Sequence, residues 1–265
     1  MTPPITPFSE IVPKYELFLV DIWGVVHDGV KAYPTAASTL NNLIATKKVV
    51  FLSNAPRPAD VILSTLQKYG INAEVDHILT SGDVVRAKLK QDPDKKIYHL
   101  GADKNQDILR GIETVSDLKE AELVVLSAFL DQPEKDEKFD EILREAVQLN
   151  LPLICANPDT YVPHGDQVRR CSGVFAARYE KMGGNVEYYG KPHANIFEAV
   201  IQKCGLAKDK ILMIGDTFDT DVLGARNFDI HVAMTLTGNG TKSYENLTSL
   251  EVKYGVSPTW VIEGL

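Results

Sequence analysis

Leu17-Phe18-Leu19-Val20-Asp21-Ile22-Trp23-Gly24-Val25-Val26-His27-Asp28-Gly29 opens with an unbroken apolar run and stops on a carboxylate. Four continuous apolar residues suit a strand buried on both faces, the habit of parallel sheets, rather than the alternation of a half-exposed strand. The same kind of run recurs at Val49–Leu52, Ile97–Leu100, Leu123–Leu126, Leu153–Cys155, Ile211–Ile214, His231–Ala233 and Trp260–Ile262. Between the runs lie helical patterns at Pro34–Thr46, Pro58–Tyr69, Asp83–Leu89, Lys138–Leu149 and Ala194–Cys204. Strand–helix alternation along the whole chain predicts an α/β fold with right-handed crossovers. The charged run Asp131–Asp140 reads as a solvated loop and helix start.

The chain has 265 residues, 44% hydrophobic and 24% charged, enough for a large α/β domain or two smaller ones. Its formal net charge of −8 argues against a nucleic-acid backbone as partner. It says little against a small phosphate, whose charge one metal and one cation can meet locally. The three cysteines, Cys155, Cys171 and Cys204, form no CxxC pair, which points away from zinc and a disulfide framework and towards a reducing compartment. No stretch approaches the ~20 apolar residues of a membrane span, and no signal-peptide pattern is present; a cytoplasmic address is expected.

Sites in open α/β sheets form beyond the carboxyl ends of strands. The residues at those ends are chemically loaded here. Asp21 ends the first strand, and Ser53-Asn54 the second. Gly215-Asp216-Thr217-Phe218-Asp219-Thr220-Asp221 comes directly after Ile211–Ile214, and Gly190-Lys191-Pro192-His193 precedes the helix at Ala194. A carboxylate can accept a phosphoryl group covalently and split the transfer into two steps. Mg²⁺ shared by Asp21 and Asp216 would remove the repulsion between that carboxylate and an anionic phosphate. Asp221, and less strongly Asp219, would orient the metal's waters. Ser53 and the Asn54 amide can donate to phosphoryl oxygens, and Lys191 can screen the developing charge. His27, His77, His99, His193 and His231 show no zinc-ligand spacing. Arg57, Arg169 and Arg170 are candidates to reach a substrate anion, although solvated arginines are commoner.

These four segments, in order, resemble the motifs of the haloacid dehalogenase superfamily. Tyr189-Gly190-Lys191-Pro192-His193, Asn157-Pro158-Asp159 and Leu236-Thr237-Gly238 are similar to its class IIA branch, which contains the NagD-like and p-nitrophenyl phosphate phosphatases. The resemblance implies a Rossmann-like core (1–82 and 184–265) with an inserted α/β cap of the C2 type (83–183). It implies a Mg²⁺-dependent phosphatase acting on a small phosphate monoester, with Asp21 as nucleophile and Asp21, Asp216, Asp221 and the backbone carbonyl of Trp23 around the metal. It also implies cap-loop contacts to substrate, best sought in Asn157–His164, with Tyr161 and His164 as candidates. A homodimer is expected by analogy alone.

One position departs from the pattern. The usual general acid, two residues after the nucleophile, is here Trp23, whose indole cannot transfer a proton near neutrality. General acid–base help is worth ~10²–10⁴-fold. His27 and Asp28 are the nearest possible substitutes. A non-catalytic phosphate-binding protein and a metal-independent dehalogenase-type hydrolase are the alternative readings.

Overall fold

The computed structural model describes residues 3–130, 134–164 and 167–265. In chain order its strands are β1 (Leu17–Val20), β2 (Lys48–Ser53), β3 (Ile78–Thr80), β4 (Ile97–Gly101), β5 (Thr114–Val115), β6 (Leu123–Ser127) and β7 (Phe129–Leu130). They continue with β8 (Leu153–Cys155), β9 (Tyr161–His164), β10 (Gln167–Cys171), β11 (Val186–Tyr188), β12 (Ile211–Gly215), β13 (His231–Thr235) and β14 (Trp260–Ile262). Each expected strand is present within a residue or two at its ends. The chain is an α/β protein built on a parallel, Rossmann-like sheet.

That sheet runs β14-β13-β12-β1-β2-β3, with every pairing parallel. The continuous apolar runs are explained by its two cores. Phe18 and Val20 of β1 face one cluster with Leu40, Phe51 and Leu66. Leu17 and Leu19 face the other with Phe197, Met213 and Val222. All four β1 side chains are fully buried. The chain moves outward from β1 through β2 to β3, then returns on the opposite side at β12. The strand order therefore reverses between β1 and β12, where an α/β sheet leaves a crevice at its carboxyl edge. Val20 pairs with Ile214, so Asp21 and Gly215-Asp216 emerge side by side into that crevice.

A second parallel sheet, β11-β8-β6-β4-β5, is assembled from the intervening chain. It too has a core on each face, with Leu126, Leu153 and Phe175 on one and Ile97, Val125 and Ile154 on the other. A small antiparallel sheet, β7-β10-β9, accompanies it. The second half of Asn157–His164, expected to be a loop, is therefore strand β9. The helix in the charged run 131–140 spans Glu134–Gln148; residues 131–133 lie outside the described residues.

We propose that the two large sheets mark two domains. Gly82 sits in the helix Ser81–Leu89, which contacts both β3 and the turn Asp103–Leu109. β11 pairs with β8, so residues 186–188 belong with the second sheet, and the crossing falls near Tyr189-Gly190 rather than at Gly184. No helix among the described residues is long and apolar enough to cross a membrane.

Candidate active site

Lys191 holds the crevice together. Its Nζ donates to Asp21 Oδ1 at 2.5 Å and to Asp221 Oδ1 at 2.7 Å. The lysine is 2% exposed and Asp221 1%, so this is a buried charge cluster in which each group depends on the others. Burial opposes the Lys191 ammonium, but the two carboxylates outweigh it and raise its pKa. Burial also drives the Asp21 carboxyl well above the usual range, with Lys191 pulling the other way.

Asp216 completes the group. Oxygens of Asp21, Asp216 and Asp221 all lie within 4.8 Å of one another. Asp216 accepts from Thr217 Oγ1 (3.0 Å) and from the Asn239 backbone N–H (2.7 Å). Burial, then the Asp221 charge, push its pKa up to about 7. Neither of its bonds brings a full positive charge to a buried anion, which is the condition a hard cation relieves. Three carboxylates and no soft ligand fit Mg²⁺ or Ca²⁺ rather than zinc. The backbone is shaped to permit the cluster. A Cβ on Gly24, whose φ is +92°, would fall 2.1 Å from Asp216 Oδ2. The π-helical turn Phe218–Val222 presents Asp221 back towards Thr217, whose N–H donates to Asp221 Oδ2 at 3.1 Å. Asp219 lies on the cleft wall, outside the carboxylate group.

Ser53, at the end of β2, is buried and faces the same cleft, its Oγ accepting from the Ala55 N–H. Asn54 does more than the expected backbone contact. Its side chain bonds both the N–H and the C=O of Lys191 and donates to Asp159 Oδ1 at 2.7 Å. Burial raises the Asp159 carboxyl to about 6, despite that bond. Asp159 stands in a motif the sequence offers, but its contact with Asn54 had no signal there.

Tyr161 lies on the cleft wall and is 56% exposed. His164 does not line the cleft. Its ring packs 5.8 Å from Trp23 and 6.4 Å from Phe129, joining β9 to the segment after the nucleophile. Trp23 itself lines the cleft and also packs on His27 (5.1 Å) and Phe129 (6.3 Å). Arg57 and Lys104 lie on the same wall; a lone lysine such as Lys104 carries no motif that could have flagged it.

The two nearby substitutes for an acid are poorly placed. The Gly29 N–H donates to His27 Nδ1 at 2.9 Å, which leaves the proton of the neutral ring on Nε2. Burial lowers the His27 pKa to about 4, so near neutrality the ring has no acidic proton to give. Asp28 turns away: its Oδ1 accepts from the Lys31 and Val30 N–H groups, which hold its carboxyl below the usual range, and it does not line the cleft.

A family model described as haloacid dehalogenase-like hydrolase matches residues 18–114, and a second, described as HAD-hydrolase-like, matches residues 188–265. The chain belongs to the haloacid dehalogenase-like hydrolases. The acid sugar phosphatase of Staphylococcus epidermidis (strain RP62A) is 25% identical over 90% of this chain and 92% of its own length. A hydrolase of the haloacid dehalogenase-like family from Brucella suis 1330 superposes with a TM-score of 0.82 at 29% identity, covering 99% of each chain. The p-nitrophenyl phosphatase from Archaeoglobus fulgidus does so with a TM-score of 0.80 at 25% identity, over 95% of this chain and 97% of its own. Within the superfamily this chain is an enzyme of the phosphatase type.

Proposed function

We propose that this chain is a magnesium-dependent phosphatase of small organic phosphate monoesters, such as a sugar phosphate or a nucleotide, working through an aspartyl-phosphate on Asp21. The observation that carries the reading is the bridge from Lys191 Nζ to both Asp21 and Asp221, with Asp216 in the same group at the floor of a cleft. The relatives named as sugar phosphatases support the substrate class. The proposal places the enzyme in the cytoplasm, a reducing compartment that suits its three free thiols.

Asp21, Asp216 and Asp221, with the Trp23 carbonyl, would hold Mg²⁺, which supplies charge neutralisation at the phosphoryl oxygens. Asp21 attacks phosphorus in line, the ester oxygen leaves with the bonding pair, and the phosphoryl group rests on the carboxylate. Lys191 stays bonded to Asp21, orienting it and balancing charge as it develops. Ser53 Oγ and the Asn54 N–H donate to phosphoryl oxygens. Water then attacks the aspartyl-phosphate, releasing inorganic phosphate and restoring Asp21. Trp23 contributes shape and water exclusion where the usual acid would stand, and the departing oxygen takes its proton from solvent.

The test is p-nitrophenyl phosphate hydrolysis with Mg²⁺, with chelator, and in Asp21→Asn. Metal-dependent release that is lost in Asp21→Asn is expected. Undiminished release in chelator would overturn the metal, and retained activity in Asp21→Asn would overturn the nucleophile. Binding without release would make the chain a phosphate-binding protein. The intact group of Asp216 and Asp221 speaks against the dehalogenase-type alternative, in which it would serve no purpose.

A further inference from the structure

The cleft has a second pole of charge. Lys104, in the turn Asp103–Leu109 beyond β4, holds its Nζ 3.3 Å from the centre of the Phe129 ring. Both residues line the cleft that contains Asp21 and Lys191. An ammonium over an aromatic face is attracted by the ring but keeps its hydrogen-bond donors unused. Among the described residues no acceptor is bonded to Lys104 Nζ. Arg57 lines the same wall. One of its nitrogens is paired, Nη2 with Asp107 Oδ2 at 2.9 Å, while its buried Nε has no hydrogen-bond partner. Asp107 also meets Arg110, which is paired in turn with Asp60, so the two arginines are matched by two carboxylates and, among the described residues, Lys104 is the cation of this wall that has no carboxylate against it.

Lys104 feels the cost of this arrangement. Protein around its ammonium, then the charges of Arg57 and Arg169, lower its pKa to about 8, although the residue as a whole is exposed. Convergent cations in a chain of net charge −8 are not a generic feature of its surface. They are relieved by one ligand chemistry, an anion. The phosphoryl group cannot be that anion, because its own place is at Asp21 and Lys191.

We propose that Lys104, with Arg57, forms a second-anion subsite, so that the preferred substrates are phosphate monoesters whose leaving group bears a carboxylate or a further phosphate. The inference rests on the phosphatase reading and refines its substrate class. Phe129 positions the ammonium, and Lys104 is a specificity residue for the part of the substrate that departs.

The test uses matched esters. One pair is 3-phosphoglycerate against glycerol 3-phosphate, the other fructose 1,6-bisphosphate against fructose 6-phosphate. In the parent protein with Mg²⁺, kcat/KM should favour the anion-bearing member of at least one pair by about tenfold or more, the scale of one charge-assisted hydrogen bond. The first pair reports a carboxylate, the second a phosphate. The advantage should lie in KM, fall towards unity in Lys104→Met, which keeps the apolar stem over Phe129, and survive in Lys104→Arg. A ratio near one for both pairs in the parent, or an unchanged ratio in Lys104→Met, would overturn the subsite. If the parent hydrolyses no ester at all, the phosphatase reading fails first. Calorimetric Kd values for the same pairs then decide the subsite: tighter binding of the anion-bearing member sustains it, and equal binding removes it.

Discussion

Asn54 grips the backbone of Lys191 from both sides, its Oδ1 accepting from the Lys191 N–H at 2.7 Å and its Nδ2 donating to the Lys191 C=O at 2.9 Å. The lysine that bridges Asp21 and Asp221 is thus aimed by a residue of the second strand-end loop, 137 positions away. Asn54→Ala removes both bonds and lets Lys191 drift. A shift of about 1 Å at a catalytic group can cost ~10²-fold. We expect kcat on p-nitrophenyl phosphate to fall by about that factor, with the Mg²⁺ concentration for half-activation little changed. An unaltered kcat would show that Lys191 needs no such clamp.

Lys191→Met should expose how far the acidic group depends on its ammonium. Removing one partner of a buried charge pair costs ~3–5 kcal/mol, because the other charges stay behind. Here two carboxylates lose their partner. The variant should be less stable than the parent in chelator by that order. Mg²⁺ should then raise its Tm by more than it raises the parent's, since the ion takes over the missing positive charge. Thermal unfolding with and without metal measures this, and equal Mg²⁺ shifts in both proteins would refute it.

The legibility of this chain tracks burial. β1, β6 and β12 are covered on both faces, so their sequences are continuous apolar runs and their positions are readable. Asp21, Lys191, Asp216 and Asp221 are readable because each stands at a strand end or helix start within a short pattern. β9 and β10 are different: Tyr161, Gln167 and Val168 are exposed, no apolar periodicity survives, and the hairpin looks like a loop. β3, three residues long, and β11, with little burial, fall below any pattern's resolution. Lys104 and Phe129 meet only because the turn after β4 and strand β7 of the small antiparallel sheet converge on the cleft, and nothing local in either segment announces that.

Asp159 gives the fold a pH signature. Its carboxyl is raised by burial to about 6 against an ordinary 3.8. An acid raised by folding is destabilising while ionised. The full cost is present above about pH 6, shrinks as pH falls through the folded value, and vanishes below the unfolded one. Asp159→Asn keeps an acceptor for the Asn54 Nδ2 donor but carries no charge. It should be more stable than the parent at pH 8 by about 1–3 kcal/mol, less than full burial would give because the side chain borders the cleft. The gap should close between pH 6 and pH 4. Denaturant unfolding of both proteins across that window tests it, and a gap that widens on acidification would reverse the assignment.

Trp23 sets the last expectation. With an indole where the usual acid stands, and with His27 neutral and bonded to the Gly29 N–H, neither residue can protonate the departing oxygen. The first step should therefore depend steeply on the basicity of that oxygen. Aryl and acyl phosphates should turn over well, and alkyl phosphates should lag by ~10²–10⁴, the help a general acid normally supplies. Dephosphorylation also lacks the usual base at position 23, so aspartyl-phosphate should accumulate and give a burst with good leaving groups. The decisive measurement is kcat/KM across a series of phosphate esters in the parent, His27→Ala and Asp28→Ala. A steep slope of equal size in all three is expected, because Asp28 accepts backbone N–H groups away from the cleft. A flat slope in the parent would mean that an acid is present after all. A flat parent slope that turned steep in one variant would identify which residue it is.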